Sequence, residues 1–374
     1  MVSLMKFDAM IVHLKRFVLP FCKMNKFGRI YTRFVKHGSS QASSKVLEHL
    51  KNRSLLQIRG NEASNFLQGL ITNDMKHIDE GAANLYALFL NIKGRVIYDV
   101  IVYKSQEDNV FYIECDSQAA DPLQKHLKVY RVRRKLDIDN VGDKIKVWAL
   151  FDPVPYLNKS DIISRQKLEG EIFPCGTLDS KSSKVIDNVM IYQDPRLLDL
   201  GNRILSVSSL EKNDIKKHLN SDVIIADNAL SYKALRYKLG IAEGVDDLPP
   251  GQPLPLEVNC DYLHGVNFHK GCYIGQELTA RTYHTGVVRK RLMPLLFDQV
   301  PNKSISYDEK IVDESGKVIG KFRGSEKEYG LGLMRIKESL NAKSLSVLGM
   351  KLKISTPNWW PQELQTESAS ANRK

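Results

Sequence analysis

The residues best suited to chemistry lie in one stretch, Lys270-Gly-Cys-Tyr-Ile-Gly-Gln-Glu-Leu-Thr-Ala-Arg281. Gly271 and Gly275 bracket Cys272, and glycine permits backbone angles and close approaches that other residues resist. From Gln276 to Tyr283 the pattern reads as a helix, with Glu277 and Arg281 at the i,i+4 spacing of an ion pair. Cys272 therefore stands just ahead of a helix N-terminus, beside Lys270 and His269. Positive neighbours and the helix dipole both favour thiolate over thiol. A thiolate on an accessible turn is a nucleophile or a soft-metal ligand. The alternative is a tight turn around a small buried side chain, and residue types alone leave the two open.

The elements that must position this stretch are legible. Ser54–Arg59 alternates like a strand and ends at Gly60; Asn61–Ile71 carries Ala63, Phe66, Leu67 and Leu70 at helical spacing. Leu85–Leu90 and Val96–Tyr103 flank Asn91-Ile-Lys-Gly94 as a hairpin. Val110–Glu114 reads as a strand and Asp121–Tyr130 as a helix, so the first lobe is α+β on an antiparallel sheet. A second lobe begins at Trp148–Phe151, with irregular polar loops over 153–185 and helices over Ser208–Leu219 and Ser231–Leu239. Beyond Arg289, short strands with turns at Asp313-Glu-Ser-Gly316 and Arg323-Gly-Ser325 suggest a barrel or sandwich of about 70 residues. The division expected is 1–44 leader, 45–285 two interleaved lobes with a break near 150, 286–361 C-terminal β-barrel and 362–374 disordered tail.

Composition limits the function classes. The 374 residues are 43% hydrophobic and 26% charged, an ordinary globular balance. No stretch approaches the roughly 18 uninterrupted apolar residues of a membrane span. Of the net charge of +12, Met1–Lys45 carries +8, because Asp8 is its sole acid against nine Lys/Arg. That acid-poor segment, with Met10–Leu19 mixing apolar and basic residues and a Ser-rich stretch at Ser39–Ser44, reads as an organelle presequence. The rest holds only +4, and its one dense basic run is Tyr130-Arg-Val-Arg-Arg-Lys135. That run suits a cavity wall or an acidic partner, and gives thin support for nucleic acid. Neither a nucleic acid nor a membrane is expected as a partner. Cys22, Cys115, Cys175 and Cys260 form no CxxC pair or even-numbered framework with Cys272, and read as buried residues of a reducing compartment.

Lys270-Gly-Cys-Tyr-Ile-Gly-Gln-Glu-x-x-x-Arg281 resembles the signature of the YgfZ/GcvT folate-binding family. Similarity to its mitochondrial branch extends to Gly60–Asn73, Tyr130–Lys135, Asp194-Pro-Arg196 and Asn358-Trp-Trp-Pro361, across essentially all of 46–361. The resemblance implies a three-lobed ring of two α+β lobes and a C-terminal barrel around a central hole that holds folate in the glycine-cleavage enzyme. Tyr86, Asp99 and Arg236 match that folate site. Two departures argue against aminomethyl transfer. The paired aspartates have become Tyr98-Asp99, and a Gly-Tyr-Thr-Gly-Glu stretch gives way to Asp194-Pro-Arg-Leu-Leu-Asp-Leu-Gly201. A polar pterin edge left without partners costs on the order of 1–3 kcal/mol per lost contact.

The resemblance further implies iron–sulfur cluster maturation in the mitochondrial matrix, with Cys272 as the metal ligand. A [2Fe–2S] cluster needs four ligands, usually thiolates. Cys260 lies twelve residues earlier with no spacing argument to pair it with Cys272, and His269 is the lesser candidate. Most ligands must then come from a partner, an A-type scaffold sharing the cluster and feeding [4Fe–4S] assembly. Tetrahydrofolate is the second ligand implied. The rival readings are a folate-dependent one-carbon transferase, following the family's transferase label, and a nucleic-acid binder.

Overall fold

The computed structural model describes residues 44–153, 184–186, 188–219, 224–225 and 230–361. The presequence, Cys22, Cys175, most of the 153–185 loops and the 362–374 tail lie outside the described residues.

Three sheets organise the described chain. The first, in the order β3-β4-β5-β2-β6, comprises β2 (Arg53–Arg59), β3 (Asn84–Leu90), β4 (Val96–Lys104), β5 (Val110–Asp116) and β6 (Asp137–Asn140). Its pairings are antiparallel throughout. Successive side chains on a strand point to opposite faces, and β3 uses both. Leu85, Ala87 and Phe89 enter one core with helices α1 (Ala63–Gln68) and α3 (Ala120–Arg131), which flank the short α2 (Lys76–Asp79). Tyr86, Leu88 and Leu90 enter the other, shared with the second lobe. This double burial explains why β3 and β5 read as continuous apolar runs rather than alternating ones.

The second sheet starts before the first and finishes after it. β1 (Ser44–His49) pairs antiparallel with β7 (Ile145–Phe151), so the whole first lobe is inserted between two neighbouring strands of the second. β8 (Lys184–Ile186), β9 (Val189–Gln193), β10 (Asn202–Val207) and β11 (Ile224–Ile225) complete the order β11-β1-β7-β10-β9-β8, with α4 (Lys212–His218) supplying Ile215 to its outer core. Helix α5 (Tyr232–Leu239) begins at Ser231, whose hydroxyl accepts the Ala234 N–H, and ends at Gly240 in the left-handed conformation.

After α6 (Gln276–Thr285) the chain closes a six-stranded barrel, β12-β15-β14-β13-β16-β17. Its strands are β12 (Lys290–Phe297), β13 (Lys310–Asp313), β14 (Val318–Glu326), β15 (Tyr329–Arg335), β16 (Leu345–Val347) and β17 (Met350–Ile354); α7 (Ile336–Asn341) joins β15 to β16. The expected turn at Asp313–Gly316 joins β13 to β14. The one expected at Arg323-Gly-Ser325 does not exist: these residues lie within β14, where the register shifts between Phe322 and Gly324. Gly324 is there for proximity, since a Cβ on it would sit 2.4 Å from the Tyr237 hydroxyl.

Candidate functional site

Cys272 is exposed, whereas Cys115 and Cys260 are buried. It sits on a loop that the rest of the molecule fixes from several sides. The Thr72 hydroxyl donates to Gly265 O (2.5 Å) and accepts the Leu88 N–H (2.9 Å). Asn73 Nδ2 donates to Tyr86 O (2.7 Å) and His264 O (2.8 Å). The Asn267 carboxamide oxygen accepts the N–H groups of His269 and Lys270, and Ile274 N donates to Gly69 O at 3.2 Å. Gln276 turns its side-chain oxygen back to accept the Tyr273 N–H at 3.1 Å. The Gly60–Asn73 and Lys270–Arg281 segments are thus one construction, the first holding the second.

Lys270 has a role that its neighbourhood in sequence did not suggest. Its ammonium donates to Gln68 O (2.8 Å), Ile71 O (2.8 Å) and Asn73 O (2.5 Å). An ammonium has three donors, so all are taken by carbonyls at and beyond the C-terminus of α1, where a cation is favoured. It therefore has no donor left to steady a Cys272 thiolate. Burial pushes its pKa down to about 8, against a weaker pull upward from Asp74. Lys270→Met would leave three carbonyls without their donor, a cost of about 1–3 kcal/mol. We expect that loss in a urea titration.

Gly275 has φ +78°, and a Cβ there would lie 2.3 Å from Asn91 O. It faces Gly94 at the tip of the β3–β4 hairpin, so the hairpin lies directly against the cysteine loop. Gly271 differs from the expectation of unusual backbone angles: it has no positive φ, and a Cβ on it would meet nothing within 4 Å. Tyr273 is buried. Glu277 and Arg281 are both exposed on α6 and form no ion pair, so their spacing alone does not join them. His269 is exposed; Cys260 is wholly buried, and burial holds its thiol far above the ordinary range. Cys260 is therefore no second ligand.

Tyr86, Asp99 and Arg236 are all buried, at 2%, 4% and 3% exposure. Asp99 accepts from Arg53 (3.3 Å) and from the Gly244 N–H (3.1 Å). Arg236 donates to Asp247 (2.8 Å) and Ile241 O (3.0 Å), with Glu243 3.6 Å from its Nε. The Tyr86 hydroxyl makes no hydrogen bond among the described residues, its ring lying 5.5 Å from the Arg196 guanidinium, and Arg236 Nε is likewise without a hydrogen-bond partner there. Asp99 and Arg236 both already bind groups of this chain, Asp99 through Arg53 and Gly244, Arg236 through Asp247 and Ile241.

Those pairs belong to a buried network that residue types did not announce. Arg196 chelates Asp194 (3.0 and 2.8 Å) and reaches Glu243 at 2.8 Å. Arg203 contacts Asp194, Glu114 and Glu243. Arg53 joins Glu114 (2.8 Å) to Asp99. The hydroxyls of Tyr103, Tyr232 and Tyr237 donate to Glu114, Asp194 and Asp247. Four arginines and five carboxylates so connect both sheets with α5. Burial alone would raise the carboxyls of Asp194 and Glu243, but the arginines outweigh it and hold both below their usual values. Asp194-Pro-Arg196 is visible as a family segment and Arg236 as a match to the folate site; their ionic role needs the fold.

Comparison with known proteins now fits this architecture. The glycine cleavage system aminomethyltransferase T from Bartonella henselae superposes with a TM-score of 0.63 over 85% of this chain and 88% of its own, at 14% identity. The fold is therefore that of the GcvT-type aminomethyltransferases. A model of the GCVT N-terminal domain matches residues 47–155, and one of the CAF17 C-terminal beta-barrel domain matches 289–362. The human protein named "Iron-sulfur cluster assembly factor IBA57, mitochondrial" is 38% identical over 326 residues, covering 83% of this chain and 84% of its own. A Dictyostelium discoideum homologue is 31% identical, covering 74% and 68%. This chain belongs to the mitochondrial IBA57 family of iron–sulfur cluster assembly factors. Its mitochondrial placement agrees with the basic leader.

Proposed function

We propose that this protein lends Cys272 as one ligand to a [2Fe–2S] cluster shared with an A-type scaffold, in support of [4Fe–4S] protein maturation in the mitochondrial matrix. The observation that carries the reading is that Cys272, exposed, sits on a loop anchored before it at Lys270 and after it at Tyr273 and Ile274. Among the described residues no group of three or more His, Cys, Asp or Glu could hold a metal. One thiolate cannot complete a cluster, so a partner must supply the remaining ligands. The loop's part is to hold Cys272 outward and fixed, so that little ordering remains to be done when the partner arrives. The test is anaerobic reconstitution with a [2Fe–2S]-loaded A-type scaffold, followed by absorption and chromatography. A coloured heteromer that needs Cys272 supports the reading; identical behaviour of wild type and Cys272→Ala overturns it.

Tetrahydrofolate binding is a separate proposal, favoured by the unpartnered Tyr86 hydroxyl. It concerns binding rather than transfer, since Asp99 is held by Arg53. In equilibrium dialysis, Tyr86→Phe should weaken tetrahydrofolate binding by about 1 kcal/mol or roughly fivefold, the worth of one hydrogen bond. Equal binding by both forms would remove Tyr86 from the site.

A further inference from the structure

The basic run that the cluster chemistry leaves unused has a distinctive geometry at the end of α3. From Pro122 to Leu136 there is no acidic residue and six Lys/Arg, +6 in a body that carries +4 beyond the leader. Lys125, Lys128, Arg133, Arg134 and Lys135 are exposed, and none forms an ion pair among the described residues. Among them stand Val129 and Val132, 73% and 76% exposed.

Val132 is out of place by every folded-state criterion. The Arg134 N–H donates to Arg131 O at 3.0 Å, closing a turn with Val132 at its first central position, φ 50° and ψ −109°. This is close to the type II′ geometry, which favours glycine there. A β-branched residue at positive φ is an outlier. The side chain stays 76% exposed, so little burial offsets the strain. Backbone strain of this kind persists where function requires the side chain.

We propose that the α3 end is a peripheral docking site for an anionic lipid surface, with Val129 and Val132 entering the headgroup layer and the cations meeting lipid phosphates. Paired aliphatic tips ringed by cations suit a soft, flat, charged surface. A nucleic acid would want exposed aromatic rings for stacking, but Tyr130 is half-buried against His126 (4.8 Å). An acidic protein is the other occupant to be tested. The lack of a long apolar stretch bears on spanning alone; peripheral contact needs none, and no described helix is long and apolar enough to span.

The chain from Ser43 onward forms a compact unit of its own, which allows a test without the basic leader. Its sedimentation is measured with phosphatidylcholine vesicles, with and without cardiolipin. Wild type should pellet only with cardiolipin. Arg133→Glu/Arg134→Glu should weaken binding by more than about twentyfold, at roughly fivefold per charge. Lys216→Glu/Lys351→Glu, the same charge change elsewhere on the surface, should leave it nearly unaltered. Val132→Gly should lose about tenfold in binding while melting no lower than wild type. No sedimentation of wild type, or equal loss in both charge variants, overturns the proposal. Salt-sensitive capture of an acidic protein by wild type that does not sediment with cardiolipin would assign the surface to that partner instead. A Val132→Gly chain that binds like wild type removes the valine tip.

Discussion

Cys272→Ser is expected to abolish the coloured complex with a loaded A-type scaffold while leaving the fold untouched. The side chain is exposed, so its replacement should change stability by no more than about 0.5 kcal/mol. On the shared cluster proposed above, losing Cys272 should exceed the roughly 10–100-fold cost of losing a residue that merely supports a ligand. We therefore expect more than a hundredfold loss in apparent affinity for the loaded scaffold, read by absorption across a size-exclusion peak. Affinity for the cluster-free scaffold should change little. A complex that persists in colour and size would mean that the scaffold holds the cluster alone, with this protein docking beside it. The pairing of Cys272→Ser with Lys270→Met separates the ligand from its support: the first should act on the complex alone, the second on both complex and stability.

The largest stability effect should come from Glu243→Gln. Glu243 accepts from Arg203 and Arg196 and lies 3.6 Å from Arg236, so one carboxylate serves three buried guanidinium groups. Breaking a buried ion pair by removing one partner costs about 3–5 kcal/mol, because the remaining charge has no water to turn to. We expect a loss of that order in urea unfolding. The acid limb follows from the same groups. Asp194 and Glu243 titrate below their ordinary values of 3.8 and 4.5 in the folded chain. The unfolded chain then binds more protons in that range, so the contribution is full above about pH 4.5 and is lost as pH falls through the folded values. Glu243→Gln should flatten this acid slope, measured as urea midpoints between neutral pH and the acid transition. A variant as stable as wild type would show that the arginines find other acceptors.

The fold was legible wherever local pattern and burial agree. The β3–β4 hairpin and α3 follow from periodicity, and the turn into α6 from Gly275, while Gly271 does not adopt the backbone angle its type suggested. Arg323-Gly-Ser325 misled because a glycine that lets a tyrosine approach looks, in sequence, like one that turns a chain. Lys270 misled in a related way: adjacency to Cys272 suggested an ion-pair partner, whereas its acceptors lie about 200 positions earlier. Glu277 and Arg281 have the right spacing but are both exposed, where water competes with any pairing. The arginine network could not be read at all, since its members come from strands, a helix and loops that only the tertiary structure brings together. Arg53, Glu114 and Arg203 carry no motif; burial alone marks them out.

The insertion of the first lobe between β1 and β7 also sets an order of events. β1 is made and imported ahead of nearly all the described chain, yet its antiparallel neighbour arrives about a hundred residues later and β11 later still. The intervening segment contains every strand of its own sheet, so it can close while β1 is still an unpaired edge. An unpaired strand edge invites association with other chains. Entry into the organelle therefore exposes a specific liability, a short strand with Val46 and Leu47 among polar residues whose backbone edges stay open until β7 emerges.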